Sequence, residues 1–71
     1  MNWFKPRYPV LKRVIVNTRT GNAFRGLLWA KKADYLVLRQ AEMLGEAATR
    51  TPMDGEVVIE RSNVDFMQVL P

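Results

Sequence analysis

Between Gly21 and Leu38 the chain reads GNAFRGLLWAKKADYLVL, two apolar segments separated by a short basic turn. Apolar and polar residues alternate with a period of two, which predicts strands rather than helices. In the first segment Phe24, Gly26 and Leu28 share one face, and Ala23, Arg25, Leu27 and Trp29 share the other. In the second, Leu36 and Leu38 oppose Tyr35, Val37 and Arg39. The flanking sequence supplies further strands. Leu11 to Thr18 is rich in β-branched residues at Val14, Ile15 and Val16. Thr18 to Asn22 is a turn, with a glycine suited to positive φ. Gly55 to Arg61 and Val64 to Leu70 complete a set of five predicted strands, joined by a tight link at Arg61-Ser62-Asn63.

A glycine inside a strand marks a bend or a close backbone approach. Gly26 therefore predicts a sheet that curls towards closure, and the fold class is all-β: a five-stranded, strongly bent antiparallel small barrel. Residues 11–71 form this single domain. Ala41 to Asp54 breaks the β pattern with Gly45 and Pro52, and is expected to be a strand end followed by an exposed loop. Residues 1–10 form an extended arm. Pro6 and Pro9 remove backbone donors, and Trp3, Phe4 and Tyr8 stand among Lys5 and Arg7. Such an arm either folds back over the domain or anchors a partner, since aromatic residues and arginine are enriched at interface anchors.

Seventy-one residues give a marginal core. The absence of cysteine and histidine excludes disulfides and a Cys/His metal site. No cofactor is expected. The start of the chain lacks the apolar stretch of a signal peptide, and no apolar run approaches the length of a membrane span. Residues 1–39 carry nine Lys/Arg against Asp34 alone, while residues 40–71 carry two Arg against six acids. A basic half of this kind suits an acidic partner or the acidic half of another copy. Arg25, Lys31, Lys32 and Arg39 are expected near one end of the central hairpin, with Tyr35 and Trp29 available for base stacking. Apolar residues on both faces of several strands imply a second buried surface, and Val57, Ile59, Phe66 and Val69 are candidates for strand-pairing edges between copies.

Over residues 12–70 the chain resembles the Sm/LSm family, which includes bacterial Hfq. Gly21, Phe24, Gly26, Leu28 and Leu36-Val37-Leu38 match the first half of the family signature. Val57-Val58-Ile59-Glu60-Arg61 and the apolar strand after it match the second. The resemblance implies a bent five-stranded barrel whose fourth strand pairs with a neighbour's fifth to close a ring. It also implies a uridine site, but the family's Asp and Asn fall on Lys32 and Tyr35, and its Arg-Gly falls on Glu60 and Arg61. A looser resemblance links V-I-V-N-T, G-L-L-W and D-G-E-V-V-I-E-R to small chains of tailed phages of actinobacterial hosts.

With no histidine, no cysteine and one serine, the chain is not expected to be an enzyme. The altered nucleotide positions, the surplus apolar faces and the aromatic arm favour a structural or assembly module, a phage virion component packing by strand pairing and its arm. That origin would place it in the virion, and otherwise in the cytoplasm. The alternative is an Sm/Hfq-like ring-forming RNA-binding protein.

Overall fold

The computed structural model describes residues 9–71. Five strands form one antiparallel sheet: β1 (Arg13–Thr18), β2 (Ala23–Lys31), β3 (Tyr35–Leu44), β4 (Arg50–Glu60) and β5 (Val64–Val69). Their spatial order is β4-β3-β2-β1-β5, so the last two strands are the two edges.

The connection between those edges fixes the shape. Glu60 ends β4 and Val64 begins β5, with only the 3-10 turn Arg61–Asn63 between them. Four residue steps span at most about 14 Å. In a flat sheet the outer two of five strands lie about 19 Å apart. The sheet must therefore curl, and its curvature is built from irregularities placed in line. Opposite Gly26 of β2, strand β3 carries an extra residue, so that Arg25 pairs with Glu42 but Leu27 pairs with Arg39. Opposite that point β4 carries its own extra residue, between the Arg39–Glu56 and Ala41–Met53 pairs. Gln40 and Gly55 take positive φ there, at 50° and 74°. Bulges increase local twist and bend a strand. Three neighbouring strands bend along one line.

Gly26 lies at the inside of that bend. A Cβ at this position would be 3.0 Å from the Cα and Cβ of Ala41 and 3.1 Å from the Arg39 carbonyl oxygen. The backbone of β3 occupies the space that a side chain would need, which is the physical reason for glycine in mid-strand.

Curling encloses one core. Val14 and Val16 from β1, Leu28 from β2, Leu36, Leu38 and Ala41 from β3, and Ile59 from β4 are buried together. Phe24, Met53, Val57, Val64 and Met67 pack around them. The buried Thr18 hydroxyl donates to the Asn22 carbonyl (2.9 Å) and accepts from the Asn22 amide (3.0 Å), closing the β1–β2 turn with Gly21 at φ 93°.

The stretch 41–54 differs from its expected loop. β3 continues to Leu44 and β4 starts at Arg50, and the two pair through Met43–Thr51 and Glu42–Pro52. Only Gly45–Thr49 is a connection, closed by Gly45 N–H to Thr49 O at 2.8 Å. Pro52 is tolerated because β4 is an edge strand, where a missing donor breaks no ladder. Among the described residues no helix is long and apolar enough to cross a membrane.

Candidate nucleic-acid interface and sheet edges

Two connections meet at one end of the barrel. The β2–β3 turn, residues 32–34, is closed by Lys32 N–H to Tyr35 O at 2.8 Å. The β4–β5 link lies against it. Arg61 N–H donates to Asp34 O at 2.8 Å, and the Arg61 guanidinium donates through Nη1 to the carbonyls of Lys32 and Ala33, each at 3.1 Å. One arginine thus fixes the conformation of the basic turn. The other end of the link is tied as well, since Asn63 accepts from Arg19 N–H at 2.8 Å through its carbonyl and exchanges side-chain hydrogen bonds with Thr20. Lys31, Lys32 and Tyr35 are exposed around this turn.

The sequence placed six residues in this interface, and the structure brings only part of that group together. Lys31, Lys32 and Tyr35 surround the turn. Arg25 does not join them. It pairs across the sheet with Ile15 and Glu42, six residues down β2 from Lys31 and beyond the bend. Arg39 faces the same outer side as Tyr35 but is already engaged. Its guanidinium lies 3.9 Å from the Trp29 ring centroid and its Nη2 is 2.7 Å from Glu56 Oε2, with Nε donating to the same oxygen at 2.9 Å. Trp29 is the extra residue of a bulge in β2 (Leu28 pairs with Leu38, Ala30 with Val37), which leaves the indole on the outer face. The Trp29–Arg39–Glu56 cluster was not legible as a unit, because it depends on where bulges shift the register.

The edges show a similar division. Ile59, expected at a strand-pairing surface, is only 5% exposed and belongs to the core, and Val57 packs against that core. Phe66 and Val69 on β5 are each 53% exposed, and Val58 on β4, which carried no such expectation, is 58% exposed. Among the described residues β4 pairs only with β3 and β5 only with β1. Each therefore presents one open edge with large apolar side chains beside it. Trp3, Phe4 and Tyr8 of the arm lie outside the described residues.

A small, bent, five-stranded antiparallel barrel with two apolar edges and a basic turn defines the class. Solved structures make it more particular. The chain is similar to a heptameric archaeal Sm protein at 27% identity, covering 87% of this chain and 90% of that one with a TM-score of 0.77. It is similar to the SmAP1 heptamer of P. aerophilum, also at 27% identity, covering 87% and 82% with a TM-score of 0.77. It is similar to a Pyrococcus abyssii Sm protein in complex with a uridine heptamer, at 29% identity, covering 86% of each chain with a TM-score of 0.74. The fold alone is shared with a chain of the NatC complex bound to CoA, at 23% identity and a TM-score of 0.74 over 84% of this chain and 77% of that one. No family model and no curated protein matches the sequence. The chain has the Sm-like fold. This corrects the expectation of a phage virion component: three solved structures that share its fold at 27–29% identity are Sm proteins, and nothing in the likeness points to a virion.

Proposed function

We propose that the chain is a non-enzymatic Sm-type protein that assembles with copies of itself into a ring and binds single-stranded RNA. The observation that carries this reading is the likeness, over 86–87% of the chain, to Sm proteins that are heptameric or hold a uridine heptamer. The two open edges support it. An antiparallel pairing of β4 with a neighbour's β5 would satisfy both edges and cover Val58, Phe66 and Val69. Repeated head to tail, one such heterologous contact closes into a ring when the rotation fits.

The RNA contact proposed lies at the β2–β3 turn. Tyr35 offers a face for base stacking, and Lys31 and Lys32 offer charge to phosphates. Base readout differs from that of the family. Lys32 and Tyr35 stand where the family has an acid and an amide, and Glu60 stands in place of its arginine. Without the amide, hydrogen bonding to a base would rest on hydroxyls such as that of Tyr35, which rotate to donate to or accept from any base edge. Stacking accepts any base, so discrimination between uridine and adenine tracts should be weak. Fluorescence anisotropy with oligouridine and oligoadenine of equal length, across a salt series, tests this. Binding should weaken steeply with salt, by a log–log slope of about −0.7 for each phosphate neutralised, and the two oligomers should differ by less than about tenfold, roughly 1.4 kcal/mol. Absence of binding at low salt, or binding indifferent to salt, would refute the proposal.

A further inference from the structure

Tyr35 and Glu60 stand directly opposite each other across the β3–β4 ladder, so their side chains rise side by side from the outer face of the sheet. With Asp34, Val58, Arg61 and Ser62 they line a hollow of about 480 Å³. An aromatic face therefore lies next to a carboxylate. Arg61 ties the β4–β5 side of the hollow to the turn on its other side, through the bonds of its guanidinium to the carbonyls of Lys32 and Ala33. Glu56 lies further along the same face but is taken by Arg39, at 2.7 Å. Glu60 is exposed, and among the described residues its carboxylate enters no ion pair.

An ionised carboxylate is acceptor-only, with two oxygens. The base edge that matches it presents two donors side by side. Guanine has such a pair in N1–H and N2–H. Adenine and cytosine set one amino group beside a ring nitrogen that accepts, and uracil flanks its N3–H with two carbonyl oxygens, so each turns a lone pair towards the carboxylate. Hydrogen bonds to an ionised acceptor are roughly twice as strong as neutral ones, which makes the mismatch count. We infer that the hollow takes a guanine base, stacked on Tyr35, with the Glu60 carboxylate accepting from N1–H and N2–H and the Ser62 hydroxyl available to donate to O6. This rests on the RNA reading above and adds to it the base that the site prefers. Lys31 and Lys32 on the turn carry the phosphates. A basic peptide is the other ligand that a ring and a carboxylate attract, but it would meet those two lysines and Arg61.

Fluorescence anisotropy of the full-length protein with a uridine tract, and with the same tract carrying one guanosine, one inosine or one adenosine, reads the preference. The guanosine tract should bind about tenfold more tightly than the uridine tract, the lower end of what a bidentate base contact supplies. Inosine keeps N1–H and O6 but lacks the N2 amino group, and should lose most of that gain. Adenosine should show none of it. Glu60→Gln replaces one acceptor oxygen by a donor amide of the same size, and should bring the guanosine-to-uridine ratio close to one at an unchanged urea midpoint. Uridine and guanosine tracts that bind equally would overturn this inference and leave the RNA reading standing, whereas no binding of any tract at low salt would overturn both. A guanosine gain that survives in inosine or in Glu60→Gln would also overturn it. So would hexaarginine binding more tightly than the guanosine tract and losing that affinity in Glu60→Gln, which would assign the hollow to a protein partner.

Discussion

Gly26→Ala isolates the feature that bends the sheet. The added methyl would stand 3.0 Å from Ala41 Cα, 3.0 Å from Ala41 Cβ and 3.1 Å from the Arg39 carbonyl oxygen. Comfortable carbon contacts lie at about 3.5–4.0 Å. Two of the three contacted atoms are backbone, and the strand that carries them is held from behind by the β3–β4 ladder, so relaxation must move two strands. Overpacking of this kind costs about 1–3 kcal/mol. Alanine's smaller unfolded-state entropy offsets about 0.4–1 kcal/mol. The net expectation is a loss of about 1–2 kcal/mol, a large share of the roughly 4–10 kcal/mol available to a chain of this length. Gly26→Val should cost more, because it adds two further methyls to the same space. Urea unfolding followed by circular dichroism reads the change as a lower midpoint at unchanged slope. Adding Ala41→Gly should recover part of the loss, since it removes the Cβ contact and leaves the Cα and carbonyl contacts. A Gly26→Ala chain as stable as the parent would refute the account of the bend.

Three further outcomes are expected from the same structure. Val58→Asp, at a position 58% exposed, should leave the isolated barrel folded while lowering the oligomer mass seen by light scattering, and Phe66→Asp should do the same from the opposite edge. Lys31→Ala combined with Lys32→Ala should weaken RNA binding about equally for uridine and adenine tracts and make the salt slope shallower, by about 0.7 for each phosphate no longer neutralised. Glu56→Gln removes one partner of the Arg39 pair, whose side chains are 43% and 47% exposed, and should change stability by less than about 1 kcal/mol in urea unfolding.

How far the sequence discloses this fold depends on where the chain is regular. Val14, Val16, Leu28, Leu36 and Leu38 alternate without interruption, and all five are wholly buried as the alternation implies. Gly26 alone signalled the bend. The residues that answer it, Gln40 and Gly55, carry no comparable signal, because a bulge is a property of pairing between strands and not of either strand alone. Each bulge also reverses the facing of the residues beyond it. The extra residue Asp65 in β5 turns Val64 and Met67 to the same side, so that Phe66 faces out although it alternates in step with Val64. The Gly45 and Pro52 breaks concealed the ends of β3 and β4 for a related reason. Edge position makes Pro52 harmless, and edge position is known only once the strand order is known. Of the candidate interface, the basic turn with Tyr35 could be read from the sequence. The tie from Arg61 to the carbonyls of Lys32 and Ala33 could not, because it joins residues almost thirty positions apart.

Native mass spectrometry of the full-length protein, purified from a heterologous host without nuclease, tests the central claim most directly. It reports subunit number and bound nucleic acid on the same particle. A closed ring carrying RNA, which nuclease treatment strips without dissociating the subunits, is the expected result. A monomer, or a ring that stays empty when offered single-stranded RNA at low salt, would contradict the account.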